Sequence, residues 1–325
     1  IGVRLVGSEM CIRDRLYGMS MLYGVSGTLN LSELAEQTIG GEKNLLFTFG
    51  LVFVLVGIAF KLGLAPFHMW VPDVYQGASL PTTLFISSAP KIAAFAMAVR
   101  VLIDGLPGLI AQWSDMLIIL SVASIAVGNV VAIAQTNIKR MLAYSTISHM
   151  GFLLLGLIAV TNQGYAASMF YVFVYSLASM SAFGFIILAT GSGSELNLIE
   201  DYSGLGKQKP LLGFLGMVVL FSLAGIPPFG GFWAKWFVLK ELVASGHVWL
   251  AAVAVVFSLV GAYYYLRVIK VIFFDEPRNS ERPASSRGMG TIIFGINTSA
   301  IMFIGLFPGI LMGICLAAMS IYGAP

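Results

Sequence analysis

The chain contains 325 residues, of which 58% are hydrophobic and 10% are charged, and its mean hydropathy is +0.91. Soluble domains carry about 25% charged residues, so this composition excludes a soluble enzyme and a nucleic-acid-binding protein. The segment between Met141 and Ser194 contains no Asp, Glu, Lys or Arg. A helix of about 20 apolar residues crosses a bilayer. The sequence therefore predicts an all-α polytopic membrane protein embedded in the lipid bilayer.

The N-terminal segment Ile1–Leu29 does not have the pattern of a signal peptide. Ile1–Arg15 contains five charged residues and runs directly into the apolar stretch Leu16–Leu29. A signal peptide has its basic residues first, followed by an apolar core and a cleavage site of small residues. We predict that residues 1–15 are foreign to the protein, with an ordinary charged terminus as the alternative. In either case residues 16–29 are too short to span a bilayer and are predicted to be the remnant of a truncated helix.

Eight spanning helices are expected after the polar stretch Asn30–Asn44. They are predicted from the length of the apolar stretches and from the Gly, Pro, Asp and Asn residues between them. Spanning strands are excluded, because they need only about ten alternating residues. The expected spans are Leu45–Trp70, Ala78–Ile103, Asp115–Gln135, Ile138–Val160, Gly164–Thr190, Pro210–Val243, His247–Phe274 and Gly290–Ile321.

Basic residues are unevenly divided between the two sides of this arrangement. The formal net charge of +3 says little, because orientation in a membrane depends on which loops hold Lys and Arg. One side receives nine such residues and the other three, so we predict that the first side is cytoplasmic and that the C-terminus lies on the opposite side. The nine are Lys139, Arg140, Lys207, Lys209, Arg267, Lys270, Arg278, Arg282 and Arg287, and the three are Lys43, Arg100 and Lys240.

Four ionisable residues are predicted to lie deep within the spans, away from their ends: Lys61, Lys91, His149 and Lys235. Lys61 lies about 12 residues before Asp73, roughly 18 Å along a helix, which is too far for its ammonium to reach that end. A buried lysine must find a partner, line a hydrated cavity or release its proton, and the last option makes it a proton carrier. The alternatives are a structural lysine bonded to backbone carbonyls and, for the histidine, a bridge between helices.

No carboxylate is predicted to lie deep within any of the eight spans. The acidic residues fall in connections, near span ends or within Ile1–Arg15. If Lys61 has an acidic partner, we expect it on a helix upstream of Leu16 or on another chain.

Two predicted spans contain helix-breaking residues beside a lysine. Gly63–Pro66 follows Lys61, and Gly225–Gly231, which includes two consecutive prolines, precedes Lys235. Proline removes a backbone hydrogen bond, and the freed carbonyls must be satisfied by protein or water. Paired interrupted helices are typical of inverted-repeat transporters, in which the breaks flank the ion path. A simple packing kink is the alternative at either place.

Five stretches carry a recognisable pattern: Gly57–Ala78, Ser88–Ile92, Asn137–His149, Leu223–Pro227 and Tyr263–Val268. Together they resemble the antiporter-like membrane subunits, of the N type, of bacterial NADH-quinone oxidoreductase, which is respiratory complex I. The resemblance covers roughly Leu16 to the C-terminus. Lys235 fits the N or L type better than the M type, and the tripeptide Asp73-Val74-Tyr75 favours the N type.

The resemblance implies an antiporter-like inverted-repeat helix bundle with two broken helices. Residues 30–110 would be the remainder of the first repeat, residues 111–274 the second five-helix repeat, and residues 275–325 a connection and a final span. The family's conserved glutamate, the expected partner of Lys61, would lie on the helix truncated before Leu16.

The resemblance also implies the roles of individual residues. Lys61 would be the central protonatable residue of the first half-channel, Lys91 and His149 would relay protons along the bilayer midplane, and Lys235 would control the second half-channel. The partners would be other membrane subunits of complex I in the bacterial inner membrane. NAD, FMN, Fe–S clusters and quinone would be bound by partner subunits, since this chain has no nucleotide-binding or cysteine motif.

Two other functions share parts of this pattern. A subunit of a multisubunit Na⁺/H⁺ antiporter has the same fold and lysines, and the neighbouring genes would distinguish it. A structural membrane scaffold would explain the helices but not the four deep ionisable groups. Cys11 and Cys315 are far apart in sequence and form neither a disulfide framework nor a metal motif.

Overall fold

The structure, a computed structural model, describes residues 2–40, 45–190, 196–277 and 288–320, and in these ranges every regular element is helical. Short 3₁₀ turns occur at Pro107–Leu109 and Ile199–Tyr202. The α-helices are α1 (Gly2–Ser26), α2 (Leu31–Gly40), α3 (Leu45–Leu62), α4 (Trp70–Gly77), α5 (Leu80–Val99, continued by a π-helical turn Arg100–Gly105), α6 (Ile110–Ile133), α7 (Ile138–Ile158), α8 (Asn162–Thr190), α9 (Leu205–Gln208), α10 (Pro210–Ala224), α11 (Gly230–Ala244), α12 (Val248–Phe273), α13 (Met289–Leu306) and α14 (Pro308–Met319).

The predicted all-α membrane class is confirmed. Seven helical segments among the described residues are long and apolar enough to cross a membrane, and each falls within or overlaps a predicted span. The remaining predicted span, Pro210–Val243, is divided into α10 and α11, each too short to cross on its own. The two predicted interruptions, after Leu62 and after Ala224, are both present.

The prediction of a single final span over Gly290–Ile321 is wrong. The helix stops at Leu306, and Phe307 has φ −127° and ψ 60°, outside the helical range. Pro308 follows, and proline disfavours the helical conformation in the residue before it. A second helix, α14, therefore begins at Pro308.

Two other elements differ from the expected arrangement. The polar stretch Asn30–Asn44 contains α2, which packs against the π-helical turn and the 3₁₀ turn that follow α5. Helix α6 begins at Ile110, ahead of the predicted start at Asp115. Helix α1 is continuous from Gly2 to Ser26, so it crosses the predicted boundary at Arg15 without a break. The foreign origin of residues 1–15 and the division into repeats remain predictions.

Helix α7 lies at the centre of the bundle. Nineteen of its 21 residues are buried, against four of 18 in α13, which lies at the periphery. Glycines allow its neighbours to approach closely: a Cβ on Gly128 of α6 would lie 2.6 Å from the Ser148 nitrogen. The polar face of α7, including His149, is therefore enclosed by protein on all sides.

The described basic residues of the majority side gather at one end of the bundle. Arg267 donates to the carbonyl of Ile133 at the end of α6, and the Lys207 ammonium lies 3.8 Å from a carboxylate oxygen of Glu276. Lys139 and Arg140 begin α7 at this same end, where the Ile138 nitrogen bonds the Asn197 carbonyl. The expected members Arg278, Arg282 and Arg287, and Lys43 on the opposite side, lie outside the described residues.

Candidate functional site

The first helix break replaces helical hydrogen bonds with a tight turn. Gly63 has φ +78°, a conformation in which only glycine avoids strain, and its nitrogen bonds the Ala59 carbonyl. The Leu64 nitrogen bonds the same carbonyl, which closes the end of α3. The Ala65 nitrogen leaves the helix altogether and donates to the Ser124 hydroxyl on α6 at 2.9 Å. A polar side chain of a neighbouring helix thus fixes the break.

Lys91 occupies the carbonyl end of this break. Its side chain is fully buried, and the ammonium donates to the Leu62 carbonyl at 2.7 Å and to the Lys61 carbonyl at 3.5 Å. The ring of Trp70 lies 5.1 Å away, within the range of a cation–π contact. The Trp70 indole in turn donates to the Phe60 carbonyl. The negative end of α3 and the aromatic face both favour a positive charge here.

The second break repeats the first in backbone geometry. Gly225 has φ +85°, and its nitrogen and that of Ile226 both bond the Phe221 carbonyl. The interval from Gly63 to Gly225 equals the interval from Ala59 to Phe221, so the two turns coincide in register. Each turn is followed at the same distance by a cis peptide bond to a proline.

Lys235 occupies the carbonyl end of the second break. Its ammonium donates to the Ala224 carbonyl at 2.8 Å and to the Ser258 hydroxyl of α12 at 2.9 Å, and it lies 5.2 Å from the centre of the Phe152 ring. The side chain is only 9% exposed. Although Lys240 follows closely in sequence, Lys235 therefore points into the protein and not toward an interface.

His149 is held between two tyrosine hydroxyls in the core. Its Nδ1 lies 2.7 Å from the Tyr171 hydroxyl on α8, and its Nε2 lies 3.1 Å from the Tyr265 hydroxyl on α12. Neighbouring polar groups extend this cluster: Tyr175 donates to the Thr146 hydroxyl at 2.8 Å. A neutral imidazole has one donor and one acceptor nitrogen, so it can accept a proton on one side and release one on the other.

A small cavity lies between this cluster and the second break. His149, Tyr171 and Tyr175 line one side, and Ser222, Leu223 and Gly231 line the other. A Cβ on Gly231 would lie within the van der Waals radius of the Ser222 carbonyl oxygen, so glycine is required for this close approach. The histidine cluster and the second broken helix are thus in direct contact.

Lys61 differs from the other three residues in its surroundings. It is the penultimate residue of α3, immediately before the first break, but its side chain is exposed at the surface of the chain. Among the described residues no carboxylate pairs with it. Its backbone carbonyl accepts a 3.5 Å contact from the Lys91 ammonium, so both lysines adjoin the same turn.

Sequence reasoning identified the four ionisable residues but missed the groups that contact them and the groups that fix the first break. Ser124, Ser258 and Tyr171 carry no signal in the sequence, because a single hydroxyl in an apolar helix is common. Tyr265 lies in the Tyr263–Val268 stretch, and Trp70 and His68 lie in the first broken segment, so these three could have been singled out. Within the described ranges, no three His, Cys, Asp or Glu residues cluster closely enough to hold a metal ion.

The family "NADH:quinone oxidoreductase/Mrp antiporter, TM" matches residues 15–261, which include both breaks and all four ionisable residues. The chain belongs to this family. Subunit N of NADH-quinone oxidoreductase from Nitrosomonas europaea is 52% identical over 306 residues, covering 94% of this chain and 63% of the relative. The corresponding subunit from Herminiimonas arsenicoxydans is 51% identical over 313 residues, with the same coverage. The chain thus spans somewhat less than two thirds of the length of the curated relatives it matches.

Solved structures of the family share this architecture. A chain of respiratory complex I from Thermus thermophilus with bound aureothin superposes with a TM-score of 0.80 at 33% identity, covering 95% of this chain and 67% of that one. A chain of the Mrp complex from Dietzia gives a TM-score of 0.85 at 22% identity, over 97% of this chain and 66% of that one, and at this identity shows the shared fold alone. The antiporter-like helix bundle with two broken helices is therefore confirmed.

Proposed function

We propose that this chain belongs to a proton-translocating membrane subunit of NADH-quinone oxidoreductase, located in the bacterial inner membrane. Protons move through Lys61, Lys91, His149 and Lys235, while partner subunits carry electrons from NADH to quinone. NAD, FMN, Fe–S clusters and quinone are assigned to those partners. Other membrane subunits of the same complex would adjoin this chain in the bilayer.

One observation carries the proposal: each helix break ends in a carbonyl that a buried lysine ammonium bonds. The pairs are Leu62 with Lys91 and Ala224 with Lys235, at 2.7 Å and 2.8 Å. The carbonyl end of a half-helix stabilises the charged lysine, whereas burial favours the neutral one. Because these two effects oppose each other, a small change in the surroundings is enough to remove the proton from the lysine. His149, bonded on both ring nitrogens, connects the polar core beside the second break.

The relatives favour a respiratory complex over a multisubunit Na⁺/H⁺ antiporter. The eight relatives compared are 46–52% identical and are all named subunit N of NADH-quinone oxidoreductase. The Mrp chain shares the fold at much lower identity. The family description includes both classes, so the choice between them rests on these relatives.

The decisive experiment concerns Lys61 in the full-length protein assembled in its complex. Lys61→Met preserves length and packing but removes the proton-binding group, so proton pumping and coupled quinone reduction should both fall strongly. Lys61→Arg should fail almost as badly, because a guanidinium stays protonated at any accessible pH. For each variant, the quinone reductase rate and the formation of a membrane potential are measured at equal levels of assembled complex.

Lys240→Met is the matched control, since Lys240 lies on α11 with its side chain 61% exposed. We expect this variant to pump normally. If Lys61→Arg pumps normally as well, Lys61 serves only as a fixed positive charge, and its place in the relay is disproved.

A further inference from the structure

A buried amide connects three helices beside the histidine cluster. Asn129 of α6 is only 2% exposed. Its side-chain nitrogen donates to the Ser148 hydroxyl of α7 at 2.8 Å and to the Ile125 carbonyl of its own helix at 2.9 Å. Its side-chain oxygen accepts a hydrogen bond from the Tyr264 hydroxyl of α12 at 3.2 Å. One side chain therefore bonds groups on both neighbouring helices.

Glycines bring the three helices close enough for these bonds. A Cβ on Gly128 would lie 2.6 Å from the Ser148 nitrogen, so α6 and α7 are in close contact at this level. A Cβ on Gly261 of α12 would lie 2.9 Å from the Asn129 side-chain oxygen. Both distances are shorter than a Cβ contact allows. Glycine is therefore needed on both sides of the amide.

The two partners of Asn129 are the sequence neighbours of a bonded pair. Ser148 precedes His149 on α7, and Tyr264 precedes Tyr265 on α12. His149 Nε2 and the Tyr265 hydroxyl lie 3.1 Å apart. The rings of Tyr264 and Tyr265 are also in contact, with centres 4.5 Å apart. A shift of either helix at Asn129 therefore displaces the contact between Nε2 and the hydroxyl.

The position of α12 relative to α7 depends on α6. The packing of α6 against α7 is the most extensive between any two described helices, and α6 also packs against α12. By comparison, α7 and α12 have little backbone contact with each other in the described part of the chain. Burial of an amide is costly unless its polar atoms are hydrogen-bonded. The bonds of Asn129 therefore fix α6 to both helices at one level.

We propose that Asn129 is a positioning residue for the contact between His149 and Tyr265. It holds α7 and α12 in the register that brings the Tyr265 hydroxyl within hydrogen-bond distance of Nε2. The amide itself does not carry protons, so its contribution is the distance across which the imidazole and the phenol interact. The proposal rests on the function proposed above, in which His149 relays protons.

The first test compares Asn129→Leu with the conservative variant Asn129→Asp. Leucine is similar in size to asparagine but makes none of its side-chain bonds. Aspartic acid in its neutral form, which burial favours, keeps an oxygen for Tyr264 and a hydroxyl for Ser148. Asn129→Leu should reduce proton pumping by the full-length protein in its assembled complex about tenfold, because misplacement of a reacting group by about 1 Å can cost about 100-fold. Asn129→Asp should retain most of the pumping, measured in sealed vesicles.

A second measurement distinguishes positioning from a general loss of structure. Solid-state NMR resonances of the imidazole nitrogens are recorded for the assembled complex, and those of His149 are identified by their absence in His149→Gln. Asn129→Leu should shift the Nε2 resonance more than the Nδ1 resonance, since Nδ1 contacts Tyr171 instead. Tyr264→Phe removes a single hydroxyl and should shift Nε2 in the same way. The test therefore does not depend on the folding of the leucine variant.

Asn297→Leu is the matched control. Asn297 of α13 also bridges two helices, since its side-chain nitrogen donates to the Leu177 carbonyl of α8 at 3.0 Å and to the Ser181 hydroxyl at 2.8 Å. This variant should pump normally and keep the native Nε2 resonance. If Asn129→Leu and Tyr264→Phe also keep the native Nε2 resonance, Asn129 only packs the helices together and the proposal is wrong.

The two proposals fail in different ways. Normal pumping by His149→Gln would disprove the relay function of His149, while a shifted Nε2 resonance in Asn129→Leu would still support the positioning. Loss of pumping in His149→Gln together with normal pumping by Asn129→Leu would disprove the positioning role alone.

Discussion

The two helix breaks share one backbone design but obtain their lysine from different places. In the first break, Lys91 comes from α5, which follows the broken segment along the chain. In the second, Lys235 comes from α11, which is the second half of the broken helix itself. The ammonium reaches the equivalent carbonyl in both cases. Spatial placement of the charge at the end of the half-helix is therefore preserved, whereas its position in sequence is not.

This difference explains why the repeat is visible in the glycines and prolines and not in the lysines. At the interval that relates Gly63 to Gly225, Lys91 corresponds to Val253 and Lys235 corresponds to Asp73. Asp73 pairs instead with Arg140 on the first turn of α7. A left-handed turn needs glycine at a fixed position, but a long lysine side chain can reach one carbonyl from more than one helix.

The strongest test of this comparison between the two breaks is to remove each lysine. Lys91→Met leaves the Leu62 carbonyl without its donor, and Lys235→Met does the same to the Ala224 carbonyl. An unsatisfied buried polar group costs about 1–3 kcal/mol, and we expect each variant to lose roughly that stability and most proton pumping. Thermal unfolding of the full-length subunit in lipid nanodiscs and pumping by the assembled complex measure the two effects. Equal stability of variant and parent would show that these bonds do not stabilise the breaks.

Substitution of the left-handed glycines tests the shared backbone design. Gly63→Ala and Gly225→Ala should each lose about 1–2 kcal/mol, because a Cβ is strained at positive φ. The contacts differ, since the new Cβ would press on Val71 at 2.6 Å in the first break and on the Lys235 side chain at 2.9 Å in the second. We therefore expect Gly225→Ala to impair pumping more than Gly63→Ala at similar stability.

Gly246→Ala provides the control for backbone strain alone. Gly246 has φ +86°, and a Cβ there would meet no atom within 4 Å. This variant should lose stability and keep its pumping rate. The reverse ranking of pumping between Gly63→Ala and Gly225→Ala would contradict the assignment of Lys235 to the second break.

The smallest expected effect comes from the two indoles near the breaks. Trp70 bonds the Phe60 carbonyl within its own broken helix, whereas Trp233 bonds the Gly305 carbonyl of α13 at 2.8 Å. Replacement of either by Phe should cost about 0.5–1.5 kcal/mol, the usual net value of one hydrogen bond. Trp70→Phe should also weaken the contact with the Lys91 ammonium. A larger loss of pumping from Trp233→Phe than from Trp70→Phe would contradict this expectation.

Local chemistry allowed most of the fold to be predicted from the sequence. Apolar length identified the spans, and Gly63 and Gly225 marked the breaks because their left-handed conformation has a specific residue preference. The break at Phe307 was missed because a single proline in a long apolar stretch has the same pattern as a tolerated kink, and Pro90 inside α5 is such a case. Helix α2 was missed because a short polar helix lacks the apolar length that identified the others.

The candidate site was predictable only in part. The charge of Lys91 and Lys235 in apolar surroundings marked them, but their acceptors are backbone carbonyls, which no side-chain pattern reveals. The tyrosines bonded to His149 come from two other helices, α8 and α12. Contacts of this kind depend on how helices pack, and helix packing is set by small residues such as Gly128 that have no polar signature. The roles of all four ionisable residues remain a proposal.

The enclosure of α7 has a consequence for biosynthesis. Helices enter the bilayer as they leave the ribosome, and each is sorted by how well its own side chains suit lipid. Helix α7 begins with Lys139 and Arg140 and carries Ser145, Thr146, Ser148 and His149, so it suits lipid less well than α6 does, and in the finished protein 19 of its 21 residues are buried. Only residues 134–137 separate it from α6, which is strongly apolar. We expect α6 and α7 to enter the membrane together as a hairpin, because the apolar residues of α6 supply the affinity for lipid that the polar residues of α7, including His149, reduce.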